Sequence, residues 1–413
     1  MTYRYYLLIA VVLCFAPAHA DWPQWLGPNR TGISSETGLL TTWAADGPTV
    51  VWEKELGEGF SGISVADGRV YTMFSAGEDE FVICLNEETG GEIWRFRTGA
   101  KYYERQGGNG PRSQPTVDGD RVFVLSAEGW LYALNAKDGK KLWLVDLYDG
   151  LGSRVPKFGF STSPLVEDDL LLLEVGTRQG TFIALDKTNG AVKWASQRDI
   201  VSYSSPIAVN IAGIRQVVFV SGEAAVGLSP TDGSLYWRFP WSTSYDLNVA
   251  TPIFVSPDHI FISSGYDHGA ALLQISRDGD VLSVKKVWES RGMKNHFGTS
   301  LLIGDYIYGF DNAILKCIEA KTGKEQWRRR GYGKGTLIYA DGQLIILSDK
   351  GKLALADASP TEFREKASAQ VLSGKCWTAP TLANGKIFVR DMHRIVCIDV
   401  SGAQAKPADT ESE

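Results

Sequence analysis

Four stretches of the chain combine cationic, aromatic and amide side chains in a way that could hold a ligand. Lys101-Tyr102-Tyr103-Glu104-Arg105-Gln106-Gly107-Gly108-Asn109-Gly110-Pro111-Arg112 is long, glycine-rich and carries two arginines. Ser202-Tyr203-Ser204 sets a tyrosine just ahead of an apolar strand. Arg291-Gly292-Met293-Lys294-Asn295-His296 precedes Phe297, and Lys375-Cys376-Trp377 precedes a further strand. Arginine offers paired donors shaped for a carboxylate, while tyrosine and tryptophan offer stacking faces. Arg105, Arg112, Tyr203, Asn295, His296 and Trp377 are therefore the candidate binding residues, suited to an anionic or carbohydrate-like ligand or to a peptide segment.

Other chemistry finds less support. The histidines show no HExxH or paired spacing, so His296 is not read as a metal ligand. Gly331-Tyr332-Gly333-Lys334-Gly335-Thr336 is glycine-rich but lacks the spacing of a phosphate-binding loop and leads into a strand pattern. Arg328-Arg329-Arg330 reads as an exposed basic corner at a strand end, and no catalytic residue stands out.

The elements that must carry these loops are strands of an internal repeat. An apolar residue, a glycine five positions on and a tryptophan four beyond recur as Leu85…Gly90…Trp94, Leu134…Gly139…Trp143, Leu185…Gly190…Trp194, Leu228…Gly233…Trp237 and Ile318…Gly323…Trp327. The glycine supplies the positive φ of a tight hairpin, and the indole N–H can reach a backbone carbonyl. A second unit precedes each of these, as in Gln114-Pro115-Thr116-Val117-Asp118-Gly119, Ser163-Pro164-Leu165-Val166 and Thr251-Pro252-Ile253-Phe254. Eight such units lie between about Gly59 and Val400, a period of about 43 residues, which suits four-stranded propeller blades.

Two repeats depart from the pattern. The hairpin around Gln274–Trp288 is longer, and Pro360 and Phe363 stand where glycine and tryptophan would. The last repeat ends at Val400 without its tryptophan strand, whereas Val50-Val51-Trp52-Glu53 is a tryptophan strand without a hairpin. The expected fold is an all-β, eight-bladed propeller of four-stranded antiparallel blades over 49–400, its ring closed by that N-terminal strand.

Residues 1–20 read as a signal peptide: Arg4, an apolar run from Leu7 to Phe15, then Ala18-His19-Ala20. Residues 21–48 read as an extended lead-in along the outside of the ring, and 401–413 as a disordered tail. The composition is 44% hydrophobic and 22% charged, and the formal net charge of −6 argues against nucleic acid as a partner. No later segment is long and apolar enough for a transmembrane helix, so an exported, periplasmic or extracellular, monomeric propeller is expected. Cys84, Cys317 and Cys397 recur at one place in different repeats, alongside Ala133 and Ala184, and read as small packing residues.

The Leu-Asp/Asn-x-x-x-Gly-x-x-x-Trp spacing resembles the tryptophan-docking repeat of the pyrroloquinoline-quinone (PQQ) repeat superfamily. That superfamily includes quinoprotein alcohol dehydrogenases and BamB-like outer-membrane assembly proteins. Asp21-Trp22-Pro23-Gln24-Trp25-Leu26-Gly27-Pro28 and Asn295-His296-Phe297-Gly298-Thr299-Ser300 resemble segments of bacterial secreted PQQ-binding-like β-propeller repeat proteins. For a dehydrogenase the resemblance implies PQQ, Ca²⁺ held by Glu, Asn and Asp, and a pair of adjacent cysteines in the central funnel. No two cysteines are adjacent here, and no such ligand set is placed by the motif. The chain is accordingly read as a binding or scaffold protein without a redox cofactor, holding a protein or polysaccharide partner at the rim or funnel. A divergent PQQ-dependent alcohol or sugar dehydrogenase is the alternative.

Overall fold

The computed structural model describes residues 20–44 and 46–402. Apart from Ala20, the signal-peptide reading falls outside the described residues, as does the tail reading beyond Gly402. Among the described residues the strands form eight four-stranded sheets, with every neighbouring pair antiparallel. Blades 1 to 7 span residues 64–100, 116–146, 165–196, 207–240, 253–290, 301–329 and 336–370. In blade 8 the strands Thr381–Ala383, Lys386–Arg390 and Arg394–Asp399 are completed at the outer edge by Thr49–Glu55, with Trp52 opposite Cys397. The orphan Trp52 strand does close the ring.

Burial follows from this layout. Middle strands such as Arg121–Leu125 are covered on both faces by neighbouring blades and bury Val122, Phe123, Val124 and Leu125 completely. Outer strands meet water and alternate, as in Glu92–Ala100, where Trp94 is buried between exposed Ile93 and Arg95. The cysteines Cys84, Cys317, Cys376 and Cys397 are all buried free thiols.

The tryptophans join one blade to the next. The Trp94 indole of blade 1 donates to Ala136 O of blade 2 at 3.1 Å, and its ring lies over Gly139. The same arrangement links Trp52 to Glu87 O (2.7 Å), Trp143 to Lys187 O (3.1 Å) and Trp194 to Pro230 O (2.9 Å). It also links Trp288 to Ala320 O (3.0 Å) and Trp327 to Ser359 O (2.8 Å). In five of these six clasps the ring covers a hairpin glycine, namely Gly90, Gly139, Gly190, Gly233 or Gly323. Each has φ between +66° and +77°, and a Cβ there would come within 2.6–3.1 Å of the indole.

Two joints use other means. At the joint of blades 4 and 5, Trp237 Nε1 donates instead to Gln216 Oε1 of its own blade at 2.6 Å. The long hairpin of Gly269–Asp278 and Val281–Ser290 packs Ile275 and Leu282 into a shared core with Ile211 and Trp237. In blade 7 the register pairs Leu355 with Ala367, as blade 6 pairs Cys317 with Trp327, so Ala367 and not Phe363 holds the tryptophan position. Phe363 sits in the preceding turn against Trp327, with ring centroids 5.5 Å apart.

The lead-in does not run along the outside of the ring. It crosses one end and reaches all eight blades. Trp22 pairs with Val65, Val117 N donates to Pro23 O, and Trp25 Nε1 donates to Thr251 Oγ1 at 2.8 Å. Gly32 sits against Leu301, and both Gly32 and Ser34 bond Tyr339. Leu39 N then reaches Asp341 Oδ2, and Leu40 N reaches Val400 O, across the joint of blades 7 and 8 that lacks a tryptophan. Arg30 supplies the physical reason for this path. Carbonyls at the ends of inner strands need donors, and its buried guanidinium donates to the carbonyls of Ser163, Pro164 and Pro206. Burial lowers that guanidinium to about 9.

Gly139→Ala should destabilise the protein through both constraints. The left-handed backbone costs about 1–2 kcal/mol for a residue with a Cβ, and displacing the Trp94 ring adds about 1–3 kcal/mol. Gly68→Ala, at φ +71° with open space around it, carries only the first cost. Urea unfolding of the two variants should separate them; equal losses would show that the clasp contributes nothing.

Candidate functional site

The strap formed by the lead-in closes one end of the axial channel, and Trp25 faces inward from it. The channel therefore becomes a blind funnel with a cavity of about 360 Å³, within the range of small-molecule sites. The rest of the wall comes mainly from loops at the other end, which join the outer strand of one blade to the inner strand of the next.

The first of these loops is folded on its own polar groups. Glu104 Oε1 accepts Gln106 N at 2.9 Å, its other oxygen accepts Gly107 N, and Asn109 Oδ1 accepts Glu104 N. Asn109 and Lys101 both engage Glu58. Gly110, at φ +84°, passes so close to Glu58 O that a Cβ would lie 2.5 Å from it. This path turns Arg112 into the funnel, between Tyr102 and Phe60, with its guanidinium carbon 5.4 and 5.9 Å from the ring centres. Arg105 lies at the exposed tip of the same loop and does not line the cavity.

One wall is a run of rings. Phe60 stacks on Trp377 at 5.0 Å, Trp377 on Phe297 at 4.3 Å, and Phe297 meets His296 edge-on at 4.1 Å. His296 leads to Tyr266 at 4.7 Å and Tyr266 to the exposed Tyr245 at 5.5 Å. Lys375 lies 4.4 Å over the Trp377 ring and Lys334 5.3 Å over Phe297. Burial, aided by Lys334, lowers His296 to about 4, so its imidazole is neutral at physiological pH. Opposite, Tyr203 is mostly buried, accepts a hydrogen bond from Phe158 N, and is raised to about 12 by burial.

Of the six residues singled out by sequence, Arg112, Tyr203, His296 and Trp377 line this one cavity. Asn295 is buried beside it, but its amide donates to Phe310 O and accepts from Ser300 Oγ, so it braces the loop. Trp25, Phe60, Phe158, Tyr266 and Phe297 also line the funnel and were not singled out. Phe297 directly follows a selected residue. Tyr266 belongs to a hairpin between strands of blade 5, a kind of loop the repeat pattern gave no reason to inspect.

The lining contains no Asp or Glu. A Ca²⁺ ion requires several converging oxygens, usually with carboxylates among them, so this funnel does not fit the metal of the quinoprotein dehydrogenases. Glu80, which feels the charge of Arg112, is fully buried. Burial pushes its carboxyl up to about 8, against a hydrogen bond from Thr98 Oγ1.

A family profile described as outer membrane protein assembly factor BamB matches residues 78–329 and 311–406. BamB of Yersinia pestis is 23% identical over 367 residues, covering 83% of this chain and 86% of the relative. BamB of Shewanella oneidensis is 24% identical over 358 residues, covering 82% and 74%. The crystal structure of BamB from Moraxella catarrhalis superposes with a TM-score of 0.60 at 16% identity, covering 85% of this chain and 99% of that one. A quinohemoprotein alcohol dehydrogenase from Pseudomonas putida gives 0.65 at 12% identity, covering 94% and 81%. At these identities the structural likenesses establish the fold alone.

Glu80 makes stability depend on pH. The folded state keeps its proton up to about pH 8, whereas the unfolded chain releases it near the ordinary value of 4.5. Between those limits the unfolded state binds fewer protons, so this group's contribution to stability falls as pH rises. Glu80→Gln should therefore gain on wild type steadily from pH 5 to pH 8 in thermal unfolding. A difference independent of pH would mean that Glu80 is ionised in the folded state.

Proposed function

The chain belongs to the family described as outer membrane protein assembly factor BamB, and we propose that it is an exported scaffold that holds a partner protein on the funnel face. One observation carries this reading. Tyr103, Tyr148, Ile200 and Tyr245 are among the most exposed large apolar side chains, at 57%, 58%, 48% and 68%. They lie on the four consecutive loops that connect blades 1 to 5, and those loops also supply Gln106, Phe158, Tyr203 and Leu247 to the funnel. Exposed tyrosines on rigid supports are characteristic of binding surfaces, since they bring large contact area at small entropic cost. The relatives are named for outer membrane protein assembly, which is a protein-handling role.

A propeller suits that role because the loops stand on a closed ring. Little of the binding energy is lost in ordering the surface. A dehydrogenase reading has weaker support: the chain has no adjacent cysteines, and the funnel lining offers no carboxylate for a divalent cation.

Crosslinking from the funnel face of the purified protein in envelope extract should capture a discrete protein partner. Capture should fall at least tenfold when Tyr103, Tyr148 and Tyr245 are all replaced by serine, with the melting temperature unchanged. Equal capture by the variant, or recovery of glycan in place of protein, would overturn the proposal.

A further inference from the structure

The funnel itself has a chemistry that the rim does not share. We propose that it binds a small flat acid with one anionic head: an aromatic or apolar carboxylate whose charge pairs with Arg112 and whose body lies among the rings. This goes beyond the scaffold reading and stands whether or not a partner protein is found.

The anionic head follows from the charge balance of the cavity. Arg112 is the cation in the lining, which contains no acid. Its guanidinium donates to Gly110 O and Gly108 O, whereas the group carries five N–H donors. No carboxylate lies within ion-pair distance of it among the described residues; Glu104 and Glu80 act on it only at longer range, and burial works against its charge. A ligand carboxylate would supply a counter-charge in direct contact, through the paired geometry that guanidinium favours. Tyr102 and Phe60 flank the guanidinium and fix it in place before any ligand arrives.

The flat apolar body follows from the wall. Tyr203, Phe158, Tyr266, Phe297 and Trp377 converge with Trp25 on a cavity of about 360 Å³. Trp25, Ser161, Ser205 and Thr378 already bond protein groups, while His296 Nδ1 is buried without a partner. A sugar carries more hydroxyls than these few remaining groups can satisfy, each at a cost of about 1–3 kcal/mol, whereas an aromatic body can pack on the rings of the wall.

The single head follows from the placement of the other cations. Lys375 and Lys334 lie over ring faces and outside the cavity lining, and Lys375 donates to Gly107 O. A tricarboxylate would therefore bring further charges into the cavity with no cation lining it to receive them.

Calorimetric titration of the purified protein with 2-naphthoate and with neutral 2-naphthamide tests the assignment. The acid should bind at least tenfold more tightly than the amide. Arg112→Gln should remove that preference, and Arg112→Lys should retain part of it. Circular dichroism of both variants checks the fold, and their capture of a protein partner at the rim should match wild type. Equal binding of acid and amide, no binding of either at millimolar concentration, or a preference that survives Arg112→Gln would each overturn the proposal. Tighter binding of digalacturonate or of PQQ would overturn the flat single-headed assignment in particular.

Discussion

The ring depends on one repeated interaction, an indole laid over a hairpin glycine of the next blade with its N–H on a carbonyl of that hairpin. The glycine serves two ends at once. Its φ makes the turn, and its missing side chain makes room for the ring. Because each clasp reaches forward, a blade that carries one orients its successor, and at the closure Trp52 of blade 8 meets the Glu87 carbonyl and Gly90 of blade 1. Burying an indole is worth a few kcal/mol and its hydrogen bond about 1 kcal/mol. Repeated around a closed ring, the clasps fix the blade-to-blade angle as well as stability. The funnel loops can only converge because that angle is fixed.

Where the clasp fails, the structure compensates with parts from elsewhere in the sequence. The hairpin glycine of blade 5, Gly279, has no ring over it, and the blade extends its outer hairpin over blade 4 instead. Blade 7 has Ala367 in the tryptophan register, and the lead-in bridges its joint with blade 8 through Leu39 and Leu40. The final joint, between blades 8 and 1, carries a second device. Arg390 is fully buried and donates to the carbonyls of Gly59, Ser61 and Met73 and to Thr72 Oγ1. Arg30 and Arg390 thus act alike, each spending a guanidinium on backbone carbonyls left over where blades meet.

These relations explain what could be read from the sequence. A clasp needs two residue types at a constant separation, so five copies of Gly-x-x-x-Trp reveal the repeat, and an unpaired Trp52 reveals the closure. The destination of the lead-in was hidden, because it is set by carbonyls from several blades that no local pattern records. Phe363 was misplaced for a related reason: spacing counts residues, whereas the register counts pairs, and blade 7 reaches its outer strand through a longer turn. In the funnel, the loops that carry Arg112, Tyr203, His296 and Trp377 were legible from composition. Which arginine of the first loop turns inward was not. That choice is made by Glu104, Asn109 and Gly110, whose contacts form only when the loop folds against Glu58.

The funnel and the rim divide the surface by chemistry. The rim presents exposed tyrosine rings, a surface that can dock against many shapes. The funnel sets one guanidinium among rings. A quinoprotein site built on this scaffold would need carboxylates converging on a cation, and the lining here offers a cation to an incoming carboxylate. The strap adds to that difference, since Trp25 faces the funnel with its ring while its indole N–H is taken up by Thr251 Oγ1. The electrostatics of the axis are therefore set by which side chains the loops and the lead-in turn inward.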